Sequence, residues 1–254
     1  MSIASKAAGF ALLIRFIKVT FVKSVTADGY WELINIIDWK SFLILISILT
    51  MTLGNFAALW QNNMKRLLAY SSIAHAGYLL LGLTVMSNQG LIAIMIYFAV
   101  YAFMNLGAFY IVMLIANKIG SEDLDDYKGL GYSAPLLGIS LAIFLVSLTG
   151  LPPTAGFIAK LYIFMALIDA AKADPKMITV AIIALLNTVV SLYYYIRVLK
   201  NLYIQKGEKE VAPFSIPIGN TIVIIALLTP VLILGIYFTP LVDLARTSIG
   251  LLGF

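Results

Sequence analysis

The 254 residues are 62% hydrophobic and only 11% charged, with a mean hydropathy of +1.00; an ordinary soluble domain carries roughly 25% charge, so one large water-soluble core is excluded and lipid is the main solvent. The net charge of +5 comes from 17 basic residues scattered through short loops, without the basic stripe and interleaved aromatics of a nucleic-acid surface, so no nucleic-acid partner is expected. Cysteine is absent, which removes disulfides and cysteine-ligated metal or iron–sulfur sites from this chain.

Hydrophobic runs fall at 2–22, 40–61, 66–87, 90–117, 135–171, 176–203 and 217–239. A bilayer core needs about 20 apolar residues per helix, with the backbone polar groups satisfied inside each segment. These runs therefore predict an all-α membrane protein of about seven transmembrane helices in a single domain over 1–254. The first run carries Lys6, Arg15 and Lys18 and no clean cleavage site, so it reads as a membrane helix and not as a signal peptide. The loop 118–134, with Glu122, Asp123, Asp125 and Asp126, is the most acidic stretch and belongs in water. The run 135–171 is too long for one straight helix, and Gly150-Leu151-Pro152-Pro153 divides it. Two adjacent prolines remove two backbone donors and clash with the preceding turn, so the helix must break there; broken helices at membrane depth line cavities more often than they face lipid. Tyr193, Tyr194 and Tyr195 before Arg197 read as an interface belt, Pro230 as a kink in the last span, and 241–254 as a short interfacial amphipathic segment.

With seven spans, one face carries Lys65, Arg66, Lys118, Lys128, Arg197, Lys200, Lys206 and Lys209, and the other Lys18, Lys23, Lys40, Lys172, Lys176 and Arg246. The positive-inside rule assigns the richer face to the cytoplasm, with the chain starting inside and ending outside.

All twelve acidic residues fall in loops or at span ends, whereas Lys6 and Lys160 do not. An ammonium at membrane depth costs several kcal/mol unless hydrated, paired or deprotonated, which makes such a lysine a functional candidate. Lys6 is near enough to the chain start to snorkel to the interface. Lys160, seven residues past Pro153 among Phe157, Ile158, Leu161, Ile163 and Phe164, is too deep for that. An amine held out of water loads and unloads a proton as its surroundings change. The only histidine, His75, lies in Tyr70-Ser71-Ser72-Ile73-Ala74-His75-Ala76-Gly77-Tyr78, where Ser71, His75 and Tyr78 share one helical face. Its reading is a proton relay or a structural partner of another helix, and not a metal site, since no acid accompanies it. Asn55, Asn105 and Asn187 read as interhelical hydrogen-bonding residues, and Gly77 as a point of close helix packing.

Two stretches are specific enough to name a family. Residues Lys65 to Tyr78 and Gly150-Leu151-Pro152-Pro153-Thr154-Ala155-Gly156-Phe157-Ile158-Ala159-Lys160 closely resemble subunit N of the proton-pumping NADH:quinone oxidoreductase, respiratory complex I, over essentially the whole chain. A lysine at 160, where the related subunit M carries glutamate, favours N. The resemblance implies the C-terminal half of an antiporter-like inverted-repeat fold, with the N-terminal repeat absent, as in a fragment, a split gene or an internal start. It implies proton transfer through Lys160, Lys6 and His75, supported by Pro152, Pro153, Tyr70 and Ser71. It also implies no cofactor or metal in this chain, with NADH, flavin, iron–sulfur clusters and quinone in partner subunits of the complex. The remaining partners would be the lipid bilayer and the missing half. The implied location is the plasma membrane of a bacterium, with an organelle inner membrane as the less favoured setting. A subunit of a multisubunit cation/proton antiporter and a non-conducting membrane scaffold are the alternative functions.

Overall fold

A computed structural model describes residues 2–34, 37–205 and 213–251. Its helices are α1 (Ser2–Phe21), α2 (Trp39–Leu59), α3 (Met64–Thr84), α4 (Asn88–Ile119), the short α5 (Leu130–Ser133), α6 (Pro135–Thr149), α7 (Ala155–Ala170), α8 (Lys176–Tyr203), α9 (Ile218–Ile236) and α10 (Thr239–Leu251). Five of these, α2, α3, α4, α8 and α9, are long and apolar enough to cross a bilayer on their own. The halves α6 and α7 form a sixth span in tandem, and α1 with its three cations makes the seventh predicted helix. The protein is an all-α multi-pass membrane chain, and α9 runs unbroken through Pro230.

Local chemistry sets the helix ends. Asp38, Asn63 and Ser87 each cap a helix, accepting the backbone N–H of Ser41, Arg66 and Gly90 at 3.0, 3.0 and 3.2 Å; such caps satisfy donors that have no partner inside the helix. Pro135 opens α6 at its first position, where a missing N–H costs nothing. The helices α2 and α3 pack backbone to backbone: a Cβ on Gly77 would stand 2.7 Å from the Met51 nitrogen and 2.9 Å from the Ser47 carbonyl oxygen. Ser47 seals this contact by donating to the Gly77 carbonyl at 2.7 Å, the small-residue approach expected between membrane helices.

One element is not visible in the hydropathy pattern. The strands β1 (Val22–Val25) and β2 (Trp31–Leu33) pair antiparallel, Val25 opposite Trp31. This hairpin is stitched to the α3–α4 turn: Trp31 N–H donates to the Met86 carbonyl, Asn88 N–H to the Gly29 carbonyl, and the Trp31 indole N–H to Asn88 at 3.0 Å. On the same end, Tyr30 donates to Asp169 at 3.0 Å and Lys40 pairs with Asp174 at 2.8 Å. The opposite end is braced by a Lys65–Glu122 ion pair, and Asn201 donates to the Leu124 carbonyl at 2.9 Å. The two sets of loops separated by the sequence thus close opposite ends of the bundle; Lys206 and Lys209 of that assignment lie outside the described residues.

The interface-belt reading of three consecutive tyrosines needs correction. Tyr193 is 63% exposed, but Tyr194 and Tyr195 are buried. A helix turns about 100° per residue, so three adjacent rings cannot share one face, and here two of them face the bundle.

Candidate proton-transfer site

The break between α6 and α7 builds the site. In an unbroken helix the carbonyls of Leu148 and Thr149 would accept from residues 152 and 153; both are proline, without an N–H. Gly150 turns the chain out of α6 at φ 88°, and the Pro152-Pro153 bond is cis. At the start of α7, the Gly156 N–H finds a side-chain acceptor in Ser147 at 3.1 Å. The Lys160 ammonium takes the freed acceptor, donating to the Thr149 carbonyl at 2.7 Å. A cation also suits this place because the C-terminal end of α6 carries partial negative charge. Lys160 is 4% exposed, and its nitrogen stands 4.7 Å from the centre of the Tyr78 ring, which adds a cation–π contact.

From Lys160 a row of polar and aromatic groups crosses the bundle. The Tyr78 hydroxyl meets the Ala184 carbonyl at 3.0 Å and Thr188 at 2.8 Å on α8. One turn back, the His75 ring lies 6.2 Å from that of Tyr78 and 5.1 Å from Tyr101. His75 is buried, with Nδ1 2.8 Å from the Tyr97 hydroxyl and Nε2 3.4 Å from that of Tyr195. At the far end, the Lys6 ammonium donates to the Ser72 carbonyl at 2.5 Å and to its hydroxyl at 2.9 Å, 5.7 Å from the Tyr101 ring centre. Among the described residues no carboxylate pairs with Lys6 or Lys160; the ion pairs are Lys40–Asp174, Lys65–Glu122, Lys128–Asp125 and Lys172–Asp169. Also among the described residues, no group of three His, Cys, Asp or Glu side chains is placed to hold a metal.

The structure therefore brings Lys160, Pro152, Pro153 and His75 into one neighbourhood, and reaches Lys6 through Ser72 and Tyr101. Ser71 is buried but donates to the Leu68 carbonyl of its own helix at 2.8 Å. Tyr70 points the other way, 37% exposed, and lines a surface hollow with Gln61 and Arg66. Sequence reasoning missed Thr149, Ser72, Tyr97, Tyr101 and Tyr195. Tyr97 and Tyr101, four apart in an apolar helix, carried a signal of shared facing; for the others, only packing reveals the role. Beside this row, Asn55 donates to the Asn187 side chain at 3.0 Å and accepts from Tyr194 at 3.1 Å, so two of the three predicted interhelical asparagines bond each other. The third, Asn105, is buried on α4.

The family described as NADH:quinone oxidoreductase/Mrp antiporter, transmembrane, matches residues 1–191. The chain belongs to this family. It is similar to NADH-quinone oxidoreductase subunit N 2 of Chloroherpeton thalassium, 48% identical over 254 residues, covering 100% of this chain and 48% of that protein. Subunit N of Chlorobium chlorochromatii is 46% identical over 261 residues, covering 100% of this chain and 49% of its own length. The chain thus spans about half the length of the curated relatives it matches. Among solved structures, a chain of respiratory complex I from Thermus thermophilus with bound aureothin superposes with a TM-score of 0.65 at 31% identity, covering 80% of this chain and 45% of that one. A chain of the Mrp complex from Dietzia sp. gives a TM-score of 0.75 at 20% identity, covering 83% and 47%; this second likeness concerns the fold alone.

Proposed function

We propose that this chain is the proton-translocating membrane core of a subunit N of NADH:quinone oxidoreductase, corresponding to the C-terminal half of the longer relatives. In this reading Lys160, His75 and Lys6 take up and release protons. The Tyr97, Tyr195 and Ser72 hydroxyls bridge between them, each both donor and acceptor, with the Tyr101 ring beside Lys6 and His75 and water spanning the remaining gaps. Electron transfer from NADH to quinone belongs to partner subunits, which hold the flavin, iron–sulfur clusters and quinone; the chain itself sits in a bacterial plasma membrane.

The observation that carries this reading is the Lys160 ammonium: out of water, without a carboxylate among the described residues, and held only by a carbonyl freed by the helix break and a ring face. A scaffold lysine permanently paired with an acid would stay charged, whereas the contacts of Lys160 here are a backbone carbonyl and a ring face. Support for the quinone-linked reading over a multisubunit cation/proton antiporter is the 48% identity over the whole chain to a quinone oxidoreductase subunit.

The test replaces Lys160 with alanine in the assembled complex and measures proton pumping beside NADH oxidation. Pumping should fall at least tenfold relative to electron transfer. Normal values of both would show that Lys160 carries no proton.

A further inference from the structure

At the end of the bundle braced by Lys65 and Glu122, a cavity of about 370 Å³ opens beside the last turns of α8. Arg197, Lys200, Asn62 and Gln205 supply its polar wall, and Tyr193 and Ile196 line it on the apolar side. Arg197 is already held in place, its guanidinium donating to the Leu59 carbonyl at 3.2 Å and to the Gln61 carbonyl. Neither Arg197 nor Lys200 has an acidic partner among the described residues. The one acid in the wall, Asp125, is engaged by Lys128 at 2.7 Å. The cavity is therefore cationic on balance and has room for a phosphodiester.

From this cavity an apolar seam runs down α8. Ile182, Leu186, Val189, Tyr193 and Ile196 recur at alternating steps of four and three, each at least half exposed, and Lys200 continues the same row into the cavity. At 1.5 Å per residue the seam is about 21 Å long, more than the ~15 Å of one hydrocarbon leaflet. Tyrosine at the junction of seam and cavity is the side chain that settles at headgroup level.

We infer that the cavity is a binding site for the headgroup phosphate of an anionic phospholipid, whose acyl chain lies along the 182–196 seam. The ligand is an amphiphile and not a free anion because the two cations and two exposed apolar-rich side chains, Tyr193 and Ile196, line one and the same space.

The test uses the full chain in nanodiscs of phosphatidylcholine containing phosphatidylglycerol, transferred to detergent, with retained lipid counted by native mass spectrometry and helix content checked by circular dichroism. Wild-type protein should retain phosphatidylglycerol above its bulk proportion. Lys200→Gln should cut that enrichment about fivefold, the weight of one interfacial cation, while Lys200→Arg preserves it and Lys200→Glu abolishes it. Ile196→Asn should lower retention with both cations in place. Equal retention of the two lipids, or unchanged enrichment in Lys200→Glu at wild-type helix content, would overturn the site. Displacement of the lipid by inorganic phosphate alone would overturn the lipid assignment in favour of a small-anion site.

Discussion

The Lys160 ammonium stands 2.7 Å from the Thr149 carbonyl, across a helix break in which Pro153 deprives that same carbonyl of its helical donor. The bond is thus a replacement: a side chain eleven residues downstream fills a place that a backbone N–H fills inside an unbroken helix. In the proposed function, an amine in a backbone position would let this point of the helix gain and lose a proton without unfolding.

Gly150 protects that geometry. A Cβ there would stand 2.7 Å from the Lys160 Cδ, at a backbone φ of 88°. Gly150→Ala should lower stability by about 1–3 kcal/mol and displace the ammonium from Thr149. Proton pumping by the assembled complex should then fall at least tenfold although Lys160 is intact. Wild-type flux in a stably folded Gly150→Ala protein would show that the Thr149 contact is not used.

Tyr78 offers Lys160 a ring face and offers α8 a hydroxyl. Removing only the hydroxyl, Tyr78→Phe, should cost about 1 kcal/mol in thermal stability and leave pumping within about threefold of wild type. Tyr78→Leu removes the ring as well, and with it a cation–π contact of about 2 kcal/mol in a desolvated site. The expected loss in pumping is then more than tenfold. Equal pumping by the two variants would separate Tyr78 from the chemistry of Lys160.

Asn55 ties α2 to α8 by donating from its side-chain amide to both the side-chain and the backbone carbonyl of Asn187. A double-mutant cycle with alanine at both positions should give a coupling energy of about 0.6–1.7 kcal/mol, the range for hydrogen bonds between membrane helices. Strict additivity in denaturation experiments would contradict the bond.

The two ends respond to acid. The hydrogen bond from Lys40 holds Asp174 below the usual carboxylate range, and that from Lys65 does the same for Glu122. A depressed carboxylate contributes stability that is present above its unfolded value, near 4, and is lost as pH falls through the lower folded value. Thermal stability of the purified chain should therefore drop as pH is lowered from about 5 to about 3. Because Asp174 is solvent-accessible, Asp174→Asn should change the midpoint at neutral pH by only about 1–2 °C. It should also flatten part of the acid slope; an unaltered slope would count against the Lys40–Asp174 brace.

Much of this protein is written locally. Stretches of about 20 apolar residues can only be membrane helices, since lipid leaves the backbone no other way to satisfy itself, and Pro152-Pro153 dictates a break wherever the chain is placed. Lys160 stood out from sequence alone because a lone cation beside such a break has no bland explanation in its immediate neighbours. What the tertiary structure decided is who meets whom. Ser72, not Ser71, receives Lys6; Tyr97 and Tyr195, not Tyr70, flank His75; Tyr194 and Tyr195 turn inward while Tyr193 stays outside. Hydropathy and helical spacing give each residue a depth and an angle on its own helix, but the rotation of one helix against the next depends on contacts such as that of Gly77 with Met51, made between residues far apart in the chain. The β-hairpin belongs to the same category, because its short strands are held by the α3–α4 turn and by Asp169, partners that no local pattern announces.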